Sequence, residues 1–169
     1  MTLDQLMTKL SNGDQSVFEE IYSRMRKTVY YIALSILKDR SLAEDAMQSV
    51  FLSVLKNAGQ FRAGTHAAAW ITRIARNQSL NLKKKYSFED SVDESQNLKI
   101  FGESNTDDYG LLTDLARREL PEDEFTILLL VAVEGYKRRE LAEMLDMPVS
   151  TVTWKYNNAV DKMKELLNT

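Results

Sequence analysis

Apolar residues recur along most of this chain at steps of three and four, the period of amphipathic helices. Leu3, Leu6, Met7 and Leu10 share one helical face, and Thr2-x-x-Gln5 ahead of them is a capping-box pattern. Asn12-Gly13-Asp14 breaks that helix and caps the next. Val17, Phe18, Ile21, Tyr22, Met25, Val29, Ile32 and Ile36 then predict a long amphipathic helix of about 22 residues. Ser41-x-x-Glu44 is a second capping-box pattern, and behind it Met47, Val50, Phe51, Val54 and Leu55 form another stripe. Gly59 to Gly64 reads as a loop. A fourth helix follows, with Trp70, Ile71, Ile74 and Ala75 inward, and ends in the basic run Lys83-Lys84-Lys85. Four helices with short connections predict one helical domain over residues 1–85.

The period is lost from Tyr86 to Tyr109. The stretch SFEDSVDESQNLKIFGESNTDD is acidic and rich in Ser and Asn, so residues 86–110 read as a flexible linker, with Leu98, Ile100 and Phe101 available to dock. A second helical block is predicted over 111–169. Both prolines, Pro121 and Pro148, fall where a helix begins. Pro121-Glu-Asp-Glu puts negative charge in a first turn, where the macrodipole favours it. Phe125, Leu128, Leu129 and Ala132 are expected inward, and Gly135 is placed to stop that helix. Arg138 to Leu145, the turn Asp146-Met147 and a helix from Pro148 to Leu167 follow. Leu141, Ala142, Leu145, Val149 and Val152 occupy the apolar positions of a helix-turn-helix. No strand alternation is found, and the predicted class is all-α.

Composition narrows the chemistry. Cysteine is absent and His66 is the single histidine, which excludes disulfides, thiolate zinc sites, a cysteine nucleophile and a His-rich metal site. No Ser-His-acid set or glycine-rich phosphate loop stands out. No catalytic residues, metal or cofactor are therefore expected. No apolar run approaches the roughly 18 residues that span a bilayer. The longest is Thr126 to Val133, and MTLDQLMTKL lacks the order of a signal peptide. The expectation is a soluble cytoplasmic protein with no membrane insertion. The net charge of −3 argues against a nucleic-acid partner, but its distribution reverses that argument. Residues 1–85 carry 13 Lys/Arg against 7 Asp/Glu, residues 86–115 carry 1 against 8, and residues 116–169 carry 8 against 10. The front is basic, the middle acidic and the rear near neutral.

A helix-turn-helix sets the start of its last helix in the major groove. Ser150, Thr151, Thr153, Trp154 and Lys155 are its exposed candidates, with Lys155, Lys137, Arg138 and Arg139 as phosphate clamps. The plainer alternative is a helical hairpin with a solvated outer face. In the front block Asp45, Gln48 and Leu52 lie three to four apart on one helix and share a face. Arg73, Arg76, Asn77, Asn81 and Lys84 project from the outer side of the fourth helix, where cations hold phosphates and amides read base edges.

Leu42-Ala-Glu-Asp-Ala-Met-Gln-Ser-Val-Phe51 resembles the stretch by which sigma factors dock on the polymerase clamp. Trp70-Ile-Thr-Arg-Ile-Ala-Arg-Asn77 resembles their promoter-melting, minus-ten helix. Leu120-Pro121, Glu134-Gly135-Tyr136, Glu140-Leu-Ala142 and Pro148-Val-Ser-Thr-Val152 resemble their minus-thirty-five domain. In this order and spacing the chain resembles the extracytoplasmic-function group of RNA polymerase sigma factors over nearly its whole length. The resemblance implies a region 2 domain at 1–85, an acidic linker and a region 4 helix-turn-helix domain at 111–169. It implies a non-enzymatic factor that binds core RNA polymerase and directs promoter-specific initiation. The promoter would be read as duplex at minus-thirty-five and as single strand at minus-ten, and an anti-sigma factor would be a further partner.

The resemblance also assigns residues. Asp45, Gln48, Phe51 and Leu52 would meet core polymerase. Phe61, Arg62, Thr65 and His66, in a loop that captures a flipped base in the family, would join Arg73, Arg76, Asn77, Asn81 and Lys84 on minus-ten DNA. Arg138, Arg139, Ser150, Thr151, Thr153, Trp154, Lys155 and Asn158 would meet minus-thirty-five DNA. For Phe61 and Trp70 the alternative is a place in the core, and for His66 a role in starting the helix. Some positions depart from the family pattern. Ser49 stands where Glu is common, Asp146 replaces a turn glycine, and Asn158 and Val160 sit where arginine is frequent. An autonomous helix-turn-helix regulator would explain the rear block but not the front motifs. A helical-bundle enzyme lacks a catalytic set.

Overall fold

A computed structural model describes residues 1–89 and 110–168. All regular structure among them is helical: α1 (Leu3–Ser11), α2 (Phe18–Leu37), α3 (Arg40–Asn57), α4 (Ala67–Glu89), α5 (Gly110–Glu119), α6 (Glu122–Ala132), α7 (Arg138–Met144) and α8 (Val149–Leu167). Single 3-10 turns at Gln15–Val17 and Ala58–Gln60 lead into α2 and out of α3. The acidic stretch enters this picture only at its start, because α4 continues to Glu89, beyond the predicted domain end at residue 85. Residues 90–109, with Leu98, Ile100 and Phe101, lie outside the described residues.

The first capping box forms as the sequence predicts. The Gln5 N–H donates to Thr2 Oγ1 at 3.2 Å, and the Thr2 N–H donates to Gln5 Oε1 at 2.9 Å. Thr2→Ala is expected to cost about 0.5–2 kcal/mol, measurable by urea unfolding. The box predicted at Ser41 and Glu44 does not form. Lys38 ends α2 in the left-handed region at φ 58°, so the chain turns at once and Asp39 becomes the cap. Asp39 Oδ1 accepts from the Leu42 N–H at 2.9 Å, which leaves Ser41 inside the first turn. In the rear block Asp146 takes the left-handed conformation at φ 54°, which Asp tolerates better than most residues.

The central element is α2. Its N-terminal half buries one stripe, Ile21 and Met25, against the front block. From Thr28 to Ile36 it is buried on more than one side, by α3 and α4 and also by α6. Helix α6 is enclosed in the same way between α2 and α8, with Phe125, Thr126, Ile127, Leu129 and Leu130 all buried. Ala132, expected inward, is exposed at the end of this helix, and Val149 is exposed at the start of α8. The orientation of α6 is set by two neighbours, so Thr126, Ile127 and Leu130 take the inward positions.

The hydrophobic core therefore runs through both blocks. One cluster joins Leu6, Ile21, Met25, Ile32 and Ile71 to Ile127, Leu130, Leu141, Leu145 and Val152. A second joins Ala33, Leu34, Ala43 and Ala46 to Leu120, Phe125, Leu129, Ala159 and Met163. Polar groups at this seam are paired. Thr28 Oγ1 and Tyr136 Oη lie 2.8 Å apart, and the Ser35 and Thr126 hydroxyls share a short hydrogen bond. Arg40 pairs with Asp114 at 3.0 Å, and Lys38 Nζ lies 5.0 Å above the Phe125 ring. Burial pushes the Tyr136 phenol up and the Lys38 ammonium down from their ordinary values.

Candidate polymerase and nucleic-acid interfaces

Helix α3 divides its residues between core and solvent. Ala43, Ala46, Val50, Phe51 and Val54 are buried, whereas Asp45, Gln48 and Leu52 are exposed on one side, with Ser49 beside them. Leu52 is 67% exposed, so its side chain is free to meet another surface. Phe51 corrects the expectation placed on it. It is only 3% exposed, and its ring packs edge-on against Tyr22 at 4.8 Å and Phe18 at 6.3 Å between centroids. Its side chain holds α3 to α2 and offers no surface to another protein.

Helix α4 presents Arg73, Asn77, Asn81 and Lys84 at steps of four, four and three, all exposed along one face. This stripe combines two cations with two amides and has Leu80 alongside. It has the donors to hold phosphates and the mixed donor–acceptor groups to read base edges. Arg76 lies off the stripe. It is half-buried and points to the rear block, with Nη1 3.5 Å from the Leu145 carbonyl oxygen and Nη2 3.9 Å from Asp123 Oδ1.

The loop before α4 differs from expectation in two residues. Phe61 is 3% exposed and packs edge-on against Trp70 at 5.7 Å, and its carbonyl accepts from Ser11 Oγ at 3.1 Å. A ring so enclosed cannot stack on a base in this conformation. His66 starts the helix: its Nδ1 accepts from the Ala69 N–H at 3.2 Å. That bond leaves the proton on Nε2, which faces Glu143 Oε2 at 3.3 Å. Arg62 and Thr65 remain exposed, with Thr65 Oγ1 donating to the Arg62 carbonyl at 2.6 Å across the turn at Gly64.

In the rear block α7, the turn through Asp146 and α8 form the predicted helix-turn-helix, closed by Leu141, Ala142, Leu145 and Val152. Ser150 and Trp154 are exposed on the outer face of α8, and Trp154 is 63% accessible. Thr151, Thr153 and Asn158 flank that face, half-buried. Asn157 shares the face with Ser150 and Trp154 and was missed in the sequence, although steps of four and three from Ser150 lead to it. Arg138 and Arg139 are exposed, with the Arg138 guanidinium 4.9 Å from the Tyr156 ring centroid. Lys155 is turned inward and pairs with Asp123 at 2.7 Å.

A family model described as Sigma-70 region 2 matches residues 21–89, and one described as Sigma-70, region 4 matches residues 114–163. The chain is 24% identical to the RNA polymerase sigma factor CarQ of Myxococcus xanthus over 165 residues, 95% of each chain. It is 22% identical to the ECF RNA polymerase sigma factor SigW of Bacillus subtilis (strain 168), over 99% of this chain and 97% of that one. Its fold resembles that of the sigma factor RpoE from Bartonella quintana, solved with the anti-sigma factor NepR. That match has TM-score 0.70 and 19% identity, covering 90% of this chain and 97% of that chain. With both regions present in order, the chain belongs to the sigma-70 family, in its extracytoplasmic-function group. It is a sigma factor, which directs RNA polymerase to initiate at promoters, and the region 2 match accounts for the front block that an autonomous helix-turn-helix regulator leaves unexplained. Sigma factors are non-catalytic regulatory subunits of RNA polymerase.

Proposed function

We propose that Asp45, Gln48 and Leu52 form the polymerase-docking face, that Arg73, Asn77, Asn81 and Lys84 hold and read the minus-ten element, and that Ser150, Thr151, Thr153, Trp154, Asn157 and Asn158 read the minus-thirty-five element. Arg62 and Thr65 serve the single strand beside α4, and Arg138 and Arg139 hold phosphates of the upstream duplex. The observation that carries this reading is the separation of two exposed stripes on the front block: an acid, an amide and a bare leucine on α3, and cations with amides on α4. The first suits a protein surface and the second a polyanion. Residues 1–85 and 111–169 act as the two recognition domains, joined by the acidic stretch. The protein itself catalyses nothing and works in the cytoplasm beside polymerase. Among the described residues no helix is long and apolar enough to cross a membrane. An anti-sigma factor is a further partner, as NepR is for the RpoE of the solved complex.

Run-off transcription with core polymerase and genomic promoter fragments tests this reading. Transcripts are expected only when chain and core are both present. Arg73→Ala and Lys84→Ala should each lower the salt slope of promoter binding by about 1, because each removes a phosphate contact. Asn77→Ala should change the preferred minus-ten sequence with the slope unaltered. A pre-melted template that rescues none of these variants would remove α4 from the opening step.

A further inference from the structure

The two helices of the helix-turn-helix carry their positive charge unequally. Lys155 is the one cation of α8 between Val149 and Asp161, and it is turned inward onto Asp123 of α6 at 2.7 Å. The outer face of α8 therefore presents hydroxyls, amides and the Trp154 ring, groups that read base edges but do not neutralise phosphates. Positive charge is concentrated instead at Lys137, Arg138 and Arg139, all exposed at the start of α7. The macrodipole disfavours cations in a first turn, so these three do not serve the stability of α7. Glu140 offsets them in part, its Oε2 accepting from the Lys137 N–H at 2.8 Å.

Arg138 rests on an aromatic platform. Its guanidinium carbon lies 4.9 Å from the centroid of the Tyr156 ring of α8. The ring is half-buried and packs on the core cluster that holds Leu141, Leu145 and Val152, so its own position is fixed from below. A guanidinium stacked on a ring is held by the ring quadrupole and keeps its N–H donors free around the rim of its plane. An unstacked arginine loses rotamer freedom when it binds, whereas a stacked one has lost much of it beforehand. Tyr156 belongs to the same helix as Trp154 and Asn157, so the stack ties a cation of α7 to the helix that faces the bases.

We propose that Tyr156 is a positioning residue for minus-thirty-five recognition: its ring sets the Arg138 guanidinium in register with the outer face of α8, ready to hold a phosphate of the upstream duplex. This rests on the phosphate role proposed above for Arg138. Tyr156 touches no DNA itself and acts through Arg138. With Lys155 engaged by Asp123, a preset Arg138 supplies the phosphate contact that α8 lacks.

The test uses the full chain with core polymerase on promoter fragments that carry the upstream element. Arg138→Ala is expected to weaken promoter binding by about threefold to tenfold and to lower its salt slope by about 1. Tyr156→Phe keeps the ring and should bind within about twofold of the parent. Tyr156→Leu keeps apolar bulk without the ring and should weaken binding by about twofold to fivefold. In the Arg138→Ala background the same change should add nothing, because its effect passes through Arg138. A ring that serves packing alone would cost the same in both backgrounds, and that result would overturn the proposal. Arg138→Lys probes the stack without touching the core: the charge stays, the planar stack is lost, and binding should fall by about twofold to fivefold. Parent-like binding of Arg138→Lys would also overturn the positioning role. Unchanged affinity and slope in Arg138→Ala would instead overturn the phosphate role of Arg138.

Discussion

Phe125→Ala is expected to destabilise the whole chain by about 3–5 kcal/mol, the cost of emptying a fully enclosed aromatic site. The ring is completely buried and packs in one cluster with Ala33, Leu34, Ala43 and Ala46 of the front block and Leu120, Leu129, Ala159 and Met163 of the rear. Small residues on α2 and α3 let α6 approach closely, so neighbours have little freedom to collapse into the cavity. Each block carries one tryptophan, Trp70 in front and Trp154 behind, and single-tryptophan versions report urea unfolding of each half separately. A shared core predicts that both midpoints fall together in Phe125→Ala. A shift at Trp154 alone would show that the blocks unfold independently and that the seam contributes little.

That seam also marks where sequence pattern stops being informative. The front stripes, the two prolines, the glycine stop and the helix-turn-helix spacing were legible because each depends on residues within a few positions. The run Thr126-Ile-Leu-Leu-Leu-Val-Ala-Val133 carried a further signal, since a helix apolar on all sides is buried on all sides. Read as one inward face of a small rear domain, it hid the contact with α2. The same holds for Thr28 to Ile36, whose Ala33 and Leu34 fall outside the stripe that faces the front block. Charge pairing was illegible for a different reason. Asp123 looked like a macrodipole acid, and only tertiary structure brings Arg76 and Lys155 to its two oxygens.

Phe51 and Leu52 show how adjacent residues of one motif separate into structure and recognition. Motif position alone put both on the polymerase face. The helical turn of 100° between them puts one ring against Tyr22 and leaves the other side chain in solvent. Phe61 follows the logic of Phe51: a stacking surface was wanted there, but the loop needs an apolar anchor against Trp70. An aromatic ring in a short connection is drawn inward because it removes a large apolar area from water.

The separation on α3 yields the second large effect. Leu52→Asp, and Asp45→Arg combined with Gln48→Ala, are each expected to weaken core polymerase binding by about 2–4 kcal/mol, on the order of 30- to 1,000-fold in Kd. The three side chains are exposed, so the free protein should keep its helicity and its urea midpoint within about 0.5 kcal/mol of the parent. Phe51→Ala should behave in the opposite way, losing about 3–5 kcal/mol of stability through its cavity. At a temperature where Phe51→Ala stays folded, its polymerase affinity should remain near the parent value. Fluorescence-detected titration of labelled core against each variant, paired with unfolding of the same samples, separates the two classes. Full affinity in Leu52→Asp would show that α3 faces solvent in the holoenzyme, and the docking face would then have to be sought elsewhere on the front block.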